Sequence, residues 1–563
     1  MGPRNSAGKA SNCAISIGGQ GSAKAGLKGE SRAMRSVLRV LLVLLAALST
    51  WAFSEENPVR LYKGLGSWSH PIATSNVEAQ RYFDQGLALA YGFNRYEALR
   101  SFRKAAELDP GAAMAYWGMA LAQGPYVNMD GDPTYDLKGA CAAVDAGMKI
   151  TAAPAREKAY LQAAATWCPE YRPKAYSDAM RGLVKQYPDD LDALTLFADS
   201  LLIPVRWHWY TNDGAAAEGV PEAEHSLEEV LRRWPQHPGA NHLYIHAVES
   251  SRSPERAIAS AQRLMGITPA AGHMVHMPGH IWLVLGDWEL AASVNDRAAA
   301  VDREYFSTAN IAGNSYSPYY FHNLHFILYA RSMQGRKADS LKAADELTAA
   351  AAPMAKTMPD MTDTFVAAPI LAFVRFRDWE RVLATPKPAD AMTNSLASWH
   401  YARALAFASK GEIQKAQEER DALQKLGAAL AADAAWGQSK ARDVMAIPQE
   451  IVAARLASSP LEALPHWQLA VELQDKLTYD EPPDWYYPVR ESLGAALLGA
   501  GKPAEAEIVF REGVRRSPRN GRMLFGLMES LKAQGKTEEA AWVKREYEAA
   551  WAKADVVLRI GDM

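Results

Sequence analysis

The sequence predicts an all-α, right-handed superhelical solenoid of about 10–12 stacked helix pairs, some of them degenerate. Three observations predict it. Alanine-rich helical stretches dominate the 563 residues, and Val/Ile/Thr alternation is scarce, so a sheet is not expected. One pattern recurs near both ends: Gly86, Ala98, Phe102, Ala105 and Pro110 are spaced like Gly494, Ala506, Phe510, Gly513 and Pro518, with gaps of 12, 4, 3 and 5. Counted in that register, units begin near residues 79, 113, 157, 191, 238, 272, 321, 363, 397, 444, 487 and 521. The pairs 79/113, 157/191, 238/272, 363/397 and 487/521 each hold a 34-residue phase.

This pattern resembles the tetratricopeptide repeat, whose unit is two antiparallel helices. Small residues let the two helices approach closely, and the Pro ends the second. The units near 363 and 444 match weakly and rest on phase.

Taken in order, residues 1–33 are Gly/Ser/Ala-rich and basic, and are expected to be a disordered extension or a mis-called start. Residues 34–54 read as a signal peptide. Arg35 and Arg39 precede an apolar run from Val40 to Leu48, too short to span a bilayer comfortably. Export to the periplasm or outside the cell follows, with no stable membrane span after leader cleavage. Residues 55–74 form a leader segment that carries His70. The array with the His-rich groove is placed at 75–350, opened by a capping box at Ser75–Glu78. A C-terminal array follows at 351–552, and a tail at 553–563. Without the leader two cysteines remain, Cys141 and Cys168. The register sets them at roughly facing levels of neighbouring helices, and a disulfide is expected in an oxidising compartment.

The histidines give the function its clearest lead. In such repeats the concave face is lined by positions 2, 5, 9 and 12 of each first helix. His242, His246 and Glu249 fall at positions 5, 9 and 12 of the unit at 238. His273, His276 and His280 fall at positions 2, 5 and 9 of the unit at 272, and His322, His325 and Tyr329 at the same positions of the unit at 321. Asp199 sits at position 9 of the unit at 191. Spacings of i,i+3 and i,i+4 put imidazoles on one helix face. Stacked helices could then share a metal, one ion or two, and imidazole with a nearby carboxylate suits Zn, Fe or Cu. Pro278 is expected to start a helix near Met277, which leaves His273 and His276 on an entry turn. The assignment is firmest for His242, His246, His280 and His325. Met274 and Met277 are expected to be packing residues.

Other chemistry is excluded or left open. A net charge of −3 argues against nucleic acid as partner. No Gly-rich phosphate loop, zincin motif or nucleophile elbow is present. Insertions near 203–220 and 302–317 flank the His-rich units, the first unusually aromatic ("VRWHWYTNDG"). The segment "LTYDEPPDWYYPVRESLG", 477–494, is expected to be a structural connector rather than a cover over the groove. The stretches "NHLYIHAVE", "HMPGHI", "PYYFHNLHF" and "YDEPPDWYYPVRESLG" together resemble exported bacterial tetratricopeptide proteins with His-rich central repeats, a likeness that implies the fold and leaves the activity open. The expected function is an exported binding or scaffold protein whose groove holds a transition metal and takes a peptide or protein partner. A metal-dependent hydrolase or oxidoreductase is the alternative, with Glu249 as base or ligand and Tyr329 orienting substrate. A metal-free interaction module is a third reading.

Overall fold

A phenylalanine held between glycines sets the repeat. The Phe102 ring lies against Gly86 of its own helix pair and Gly118 of the next, where a Cβ at either position would collide with it. Phe510 is held in the same way between Gly494 and Gly526. Both rings are fully buried. Truncating such a side chain typically costs about 3–5 kcal/mol. Gly501 makes the turn between paired helices at φ +72°, a conformation L side chains rarely adopt.

The computed structural model describes residues 58–129, 132, 134–309 and 315–563. The expected extension at 1–33 and signal peptide at 34–54 lie outside the described residues. Within Val59–Met563, helices pair in sequence. α1 (Val77–Tyr91) packs on α2 (Arg95–Leu108), α3 (Ala113–Gln123) on α4 (Leu137–Met148), and α5 (Ala155–Ala165) on α6 (Pro173–Gln186). α7 (Leu191–Leu202) then packs on α8 (Val220–Arg233), and α9 (Pro238–Glu249) on α10 (Ile258–Ile267). Two short helices, α11 (Gly272–His276) and α12 (Pro278–Val284), together face α13 (Trp288–Ala309). α14 (Ser317–Met333) pairs with α15 (Lys337–Ala355), and α16 (Pro359–Arg375) with α17 (Trp379–Ala384). α18 (Thr393–Ser409) and α19 (Ile413–Ala429) follow, then α20 (Ala441–Leu456) with α21 (Pro460–Gln474). α22 (Arg490–Gly499) with α23 (Pro503–Arg516) and α24 (Gly521–Ala533) with α25 (Thr537–Ala550) complete the solenoid. The buried apolar residues form two clusters, one running from Leu65 to Met333 and one from Ala299 to Met563.

Several local expectations are corrected. The first helix is capped by Asn76, not Ser75: its side chain accepts from the backbone N–H of Glu78 and Ala79 at 3.0 and 3.2 Å. With the cap one residue later, Ala79 stands where the reciprocal Glu of a capping box would be. The insertion expected from 302 begins as continuous helix, since α13 runs to Ala309. A two-residue antiparallel hairpin, β1 (Ala435–Trp436) with β2 (Ser439–Lys440), precedes α20 where no strand was expected.

The largest departure is a return contact. A concave groove was expected, and the C-terminal pairs fold back on the central ones to wall it. Trp288 donates to the carbonyl of Arg519 (3.2 Å), and Asn212 to that of Asp475 (2.9 Å). The tail's Asp555 carboxylate accepts from the first backbone N–H groups of α15, at Lys337 and Ala338. Arg375 and Glu491 form a buried ion pair between α16 and α22. The groove becomes a cavity of about 1020 Å³. Cys141 and Cys168 are joined as a disulfide that ties α4 to the end of α5.

A buried polyhistidine centre at the cavity wall

Four helices meet at the centre. α9 contributes His242 and His246 one turn apart. α11 and α12 contribute His273, His276 and His280, and α14 contributes His322. The turn expected before Pro278 is itself helical, so His273 and His276 face inward with the rest. His242, His246, His273, His276 and His280 are all at most 2% exposed, deeper than a groove lining. Met274 and Met277 are fully buried in the apolar core behind them.

The ring nitrogens fall into two triads. Donor atoms of His242, His246 and His273 lie within 4.8 Å of one another, and so do those of His276, His280 and His322. His242 Nε2 faces His273 Nε2 at 3.2 Å, and His276 Nε2 faces His280 Nε2 at 2.7 Å.

The outward nitrogens explain the tautomers. His242 Nδ1 donates to the carbonyl of Tyr91 at 2.6 Å. Asn295 donates through Nδ2 to the carbonyl of Ala291, so its Oδ1 accepts from His276 Nδ1 at 2.6 Å. Glu249 accepts from His246 Nδ1 at 2.9 Å and from His280 Nδ1 at 2.5 Å. A neutral imidazole with Nδ1–H carries a bare lone pair on Nε2. His246 Nε2 is buried without a hydrogen-bond partner. Burial, then neighbouring imidazoles, push His242, His273, His276 and His322 well below the usual histidine range. These rings are neutral near pH 7, and lone pairs that face each other repel unless a cation stands between them. Two nitrogens bound at about 2.0–2.1 Å to one tetrahedral ion lie ~3.3 Å apart, close to the 3.2 Å between His242 and His273 and wider than the 2.7 Å between His276 and His280. Histidine ligands that bind metal typically donate their other N–H to a carboxylate or carbonyl, as four of these do.

The expected residues divide accordingly. Glu249, expected among the ligands, spends both oxygens on Nδ1 atoms and orients two rings. Its carboxyl is raised by burial, but His280 and His246 outweigh that and leave it below its ordinary value. His325 is in neither triad. One turn from His322, it lines the cavity beside Phe365, with ring centres 6.2 Å apart, and burial lowers it to about 4. Tyr329 also lines the cavity. Asp199 lies in a small side cavity with Arg95 and His242; burial raises it to about 7 against the pull of Arg95 and His246.

Sequence reasoning missed two contributions. The 477–494 segment is not only a connector: Glu481 comes within 3.5 Å of His280 Nδ1, and Asp480, Glu481 and Asp484 line the cavity. Burial, then Glu249, raises Glu481 well above the carboxylate range, and its Oε2 has no hydrogen-bond partner. Its acidic, Pro-stiffened composition was the available signal. Trp207 and Trp209 of the first insertion pack on His246, with ring centres 6.1 and 5.7 Å away. Phe93 covers His242 and His273 at 4.5 and 5.0 Å.

A second histidine–carboxylate cluster lies on the N-terminal side. Asp192 accepts from His70 Nδ1 (2.8 Å), His237 Nε2 (3.2 Å), Tyr91 (2.6 Å) and Trp68 (3.1 Å). His237 caps α9, its Nδ1 accepting from the backbone N–H of Ala240 at 3.0 Å. Asp190 caps α7 through Ala193 and accepts from Tyr160. The leader segment therefore serves as an integral strap rather than a loose lead-in.

No family model matches the chain. An "Uncharacterized protein" of Aquifex aeolicus (strain VF5) is 42% identical over 55 residues, which is 10% of this chain and 7% of that protein. The solved human IFIT1 dimer with m7Gppp-AAAA is similar over 85% of this chain and 92% of its own, at 12% identity and a TM-score of 0.31. The same dimer with PPP-AAAA matches over 86% and 92%, at 13% identity and a TM-score of 0.31. Superposition that loose carries no argument about ligands. The helix pairs themselves define the class: an all-helical, tetratricopeptide-like repeat protein with histidine clusters able to hold a metal. Among the described residues no helix is long and apolar enough to cross a membrane.

Proposed function

We propose that this chain is an exported scaffold whose central histidines hold a transition metal (Zn, Fe or Cu) and whose cavity takes a segment of a peptide or protein partner. One observation carries the reading: the buried Nε2 atoms of His276 and His280 face each other at 2.7 Å, each on a ring whose Nδ1 is tied back to an acceptor. The donor set is all imidazole, with no thiolate, which suits these borderline metals. The Cys141–Cys168 disulfide and the signal-like residues 34–54 support export. The acidic lining from Asp480, Glu481 and Asp484, with a net charge of −3, supports a polypeptide over a nucleic acid.

Elemental analysis of protein purified without strong chelator tests this. Stoichiometric metal that disappears in the His246→Ala/His280→Ala double variant is the expected result. No metal under any loading condition leaves a metal-free interaction module.

The cavity beside the centre favours a second reading, a metal-dependent hydrolase or oxidoreductase. Three protein ligands leave a metal with an open position, and His246, His273, His280 and His322 line a cavity of about 1020 Å³ that such a position could face. Glu249 is committed to two imidazoles, so Glu481 is the carboxylate free to move a proton. Metal-dependent turnover of an activated ester, or of dioxygen with a reductant, abolished in the double variant, would establish the enzyme reading. No such turnover in metal-loaded protein leaves the binding reading in place.

A further inference from the structure

We infer that the centre is built for two metal ions, one held by His242, His246 and His273 and the other by His276, His280 and His322. This rests on the metal reading above and specifies its stoichiometry. The six rings share no member between triads, and each triad contains a close Nε2–Nε2 pair, at 3.2 Å in the first and 2.7 Å in the second. In the second triad both Nδ1 atoms of the close pair are tied to acceptors, so two bare lone pairs face each other; in the first, His246 Nε2 and His273 Nδ1 are buried without partners. These unmet nitrogens lie at separate places, and one cation satisfies only one of them. The triads stand side by side: His246 and His280, one from each, have ring centres 5.4 Å apart, as do His273 and His276. Glu249 spans the two, taking one Nδ1–H from each triad.

Charge agrees with the count. Imidazole ligands offset none of the positive charge of a pair of divalent ions. Buried Glu249, Glu481 and Asp484, with half-buried Asp480, bring carboxylates to one side of the centre. The cation lining the same cavity, Arg375, is already engaged by Glu491 at 3.1 and 3.2 Å.

The competing arrangement is a single ion on His246 Nδ1, Glu249 and His280 Nδ1. There Glu249 already takes a hydrogen bond from each Nδ1, at 2.9 and 2.5 Å, so an ion on those nitrogens would have to displace both protons.

Titration of the metal-stripped full-length protein with Zn²⁺ or Co²⁺, read by calorimetry and by metal retained after desalting, tests the count. Two equivalents per chain are expected. His242→Gln and His322→Gln should each retain one equivalent, because each removes a ligand from a different triad. One equivalent in the wild type, lost altogether in both variants, would overturn the paired centre while leaving a metal protein. No binding at all would overturn the metal reading itself. The wild-type end point does not depend on whether the variants fold.

Discussion

The described residues include two buried histidine–carboxylate clusters, and the two differ in what their imidazoles face. His70, Asp190 and Asp192 lie close enough to share an ion, but Asp192 is already surrounded by donors. His70 and His237 donate to the carboxylate, Tyr91 and Trp68 add two more donors, and the remaining nitrogen of His237 caps a helix. Burial alone would raise Asp192, but the hydrogen bonds from His237 and His70 outweigh it and hold the carboxyl well below its ordinary range. At the centre the carboxylate is outside and the imidazoles face each other. Composition and burial are alike in the two clusters. What separates them is the close approach of ring nitrogens: at the centre Nε2 atoms of neighbouring imidazoles face each other at 3.2 and 2.7 Å, whereas His70 and His237 both point at one carboxylate.

The comparison can be broken most forcefully at Asp192. Asp192→Asn leaves buried donors without their anion, and breaking such a pair typically costs about 3–5 kcal/mol. Thermal or urea unfolding should show that loss, while metal content in the surviving folded fraction stays unchanged. Metal lost in proportion to a folded, stable variant would show that the two clusters are one system.

The disulfide belongs to the same framework. Cys141→Ser/Cys168→Ser opens a loop of 27 residues. Chain entropy puts the loss of stability at about 3–4 kcal/mol. Stoichiometric metal should remain, and reductant should destabilise the wild type to a similar extent.

At the centre the expected effect is on affinity, not folding. Glu249→Gln removes a charge that orients His246 and His280, and loss of such a partner weakens metal binding about 10–100-fold. Competition with a chelator of known affinity reads this directly. A variant stripped of metal entirely would make Glu249 a ligand.

The smallest effect is a pH dependence. Burial lowers His70, but its hydrogen bond and ion pair with Asp192 outweigh this and leave it raised. A raised pKa gives stability that is fully present below ~6.5 and is lost as pH rises through the folded value. Melting temperature should fall over that window in the wild type, and the slope should flatten in Asp192→Asn.

Much of this was legible in the residues. The spacing of Gly86, Phe102 and Pro110, repeated at Gly494, Phe510 and Pro518, gave the helix pairs because close packing needs small residues at fixed intervals. The same register put all seven central histidines on one surface, and six of them form the two triads. His325 lines the cavity outside the triads, because a face assignment covers a wide arc and one turn of helix carries it past them. Glu481 was missed because it lies more than 200 residues from His280, and no repeat register predicts a return contact.

By itself, then, the sequence determined the helical repeat and the concentration of imidazole in the central units. These depend on local periodicity, which short stretches of chain carry. Only the tertiary structure decided that the C-terminal pairs return to wall the groove, that Glu249 takes a hydrogen bond from two rings, and that six histidines divide into triads. Those outcomes depend on the direction of individual ring nitrogens and on contacts between distant pairs, and periodicity specifies neither.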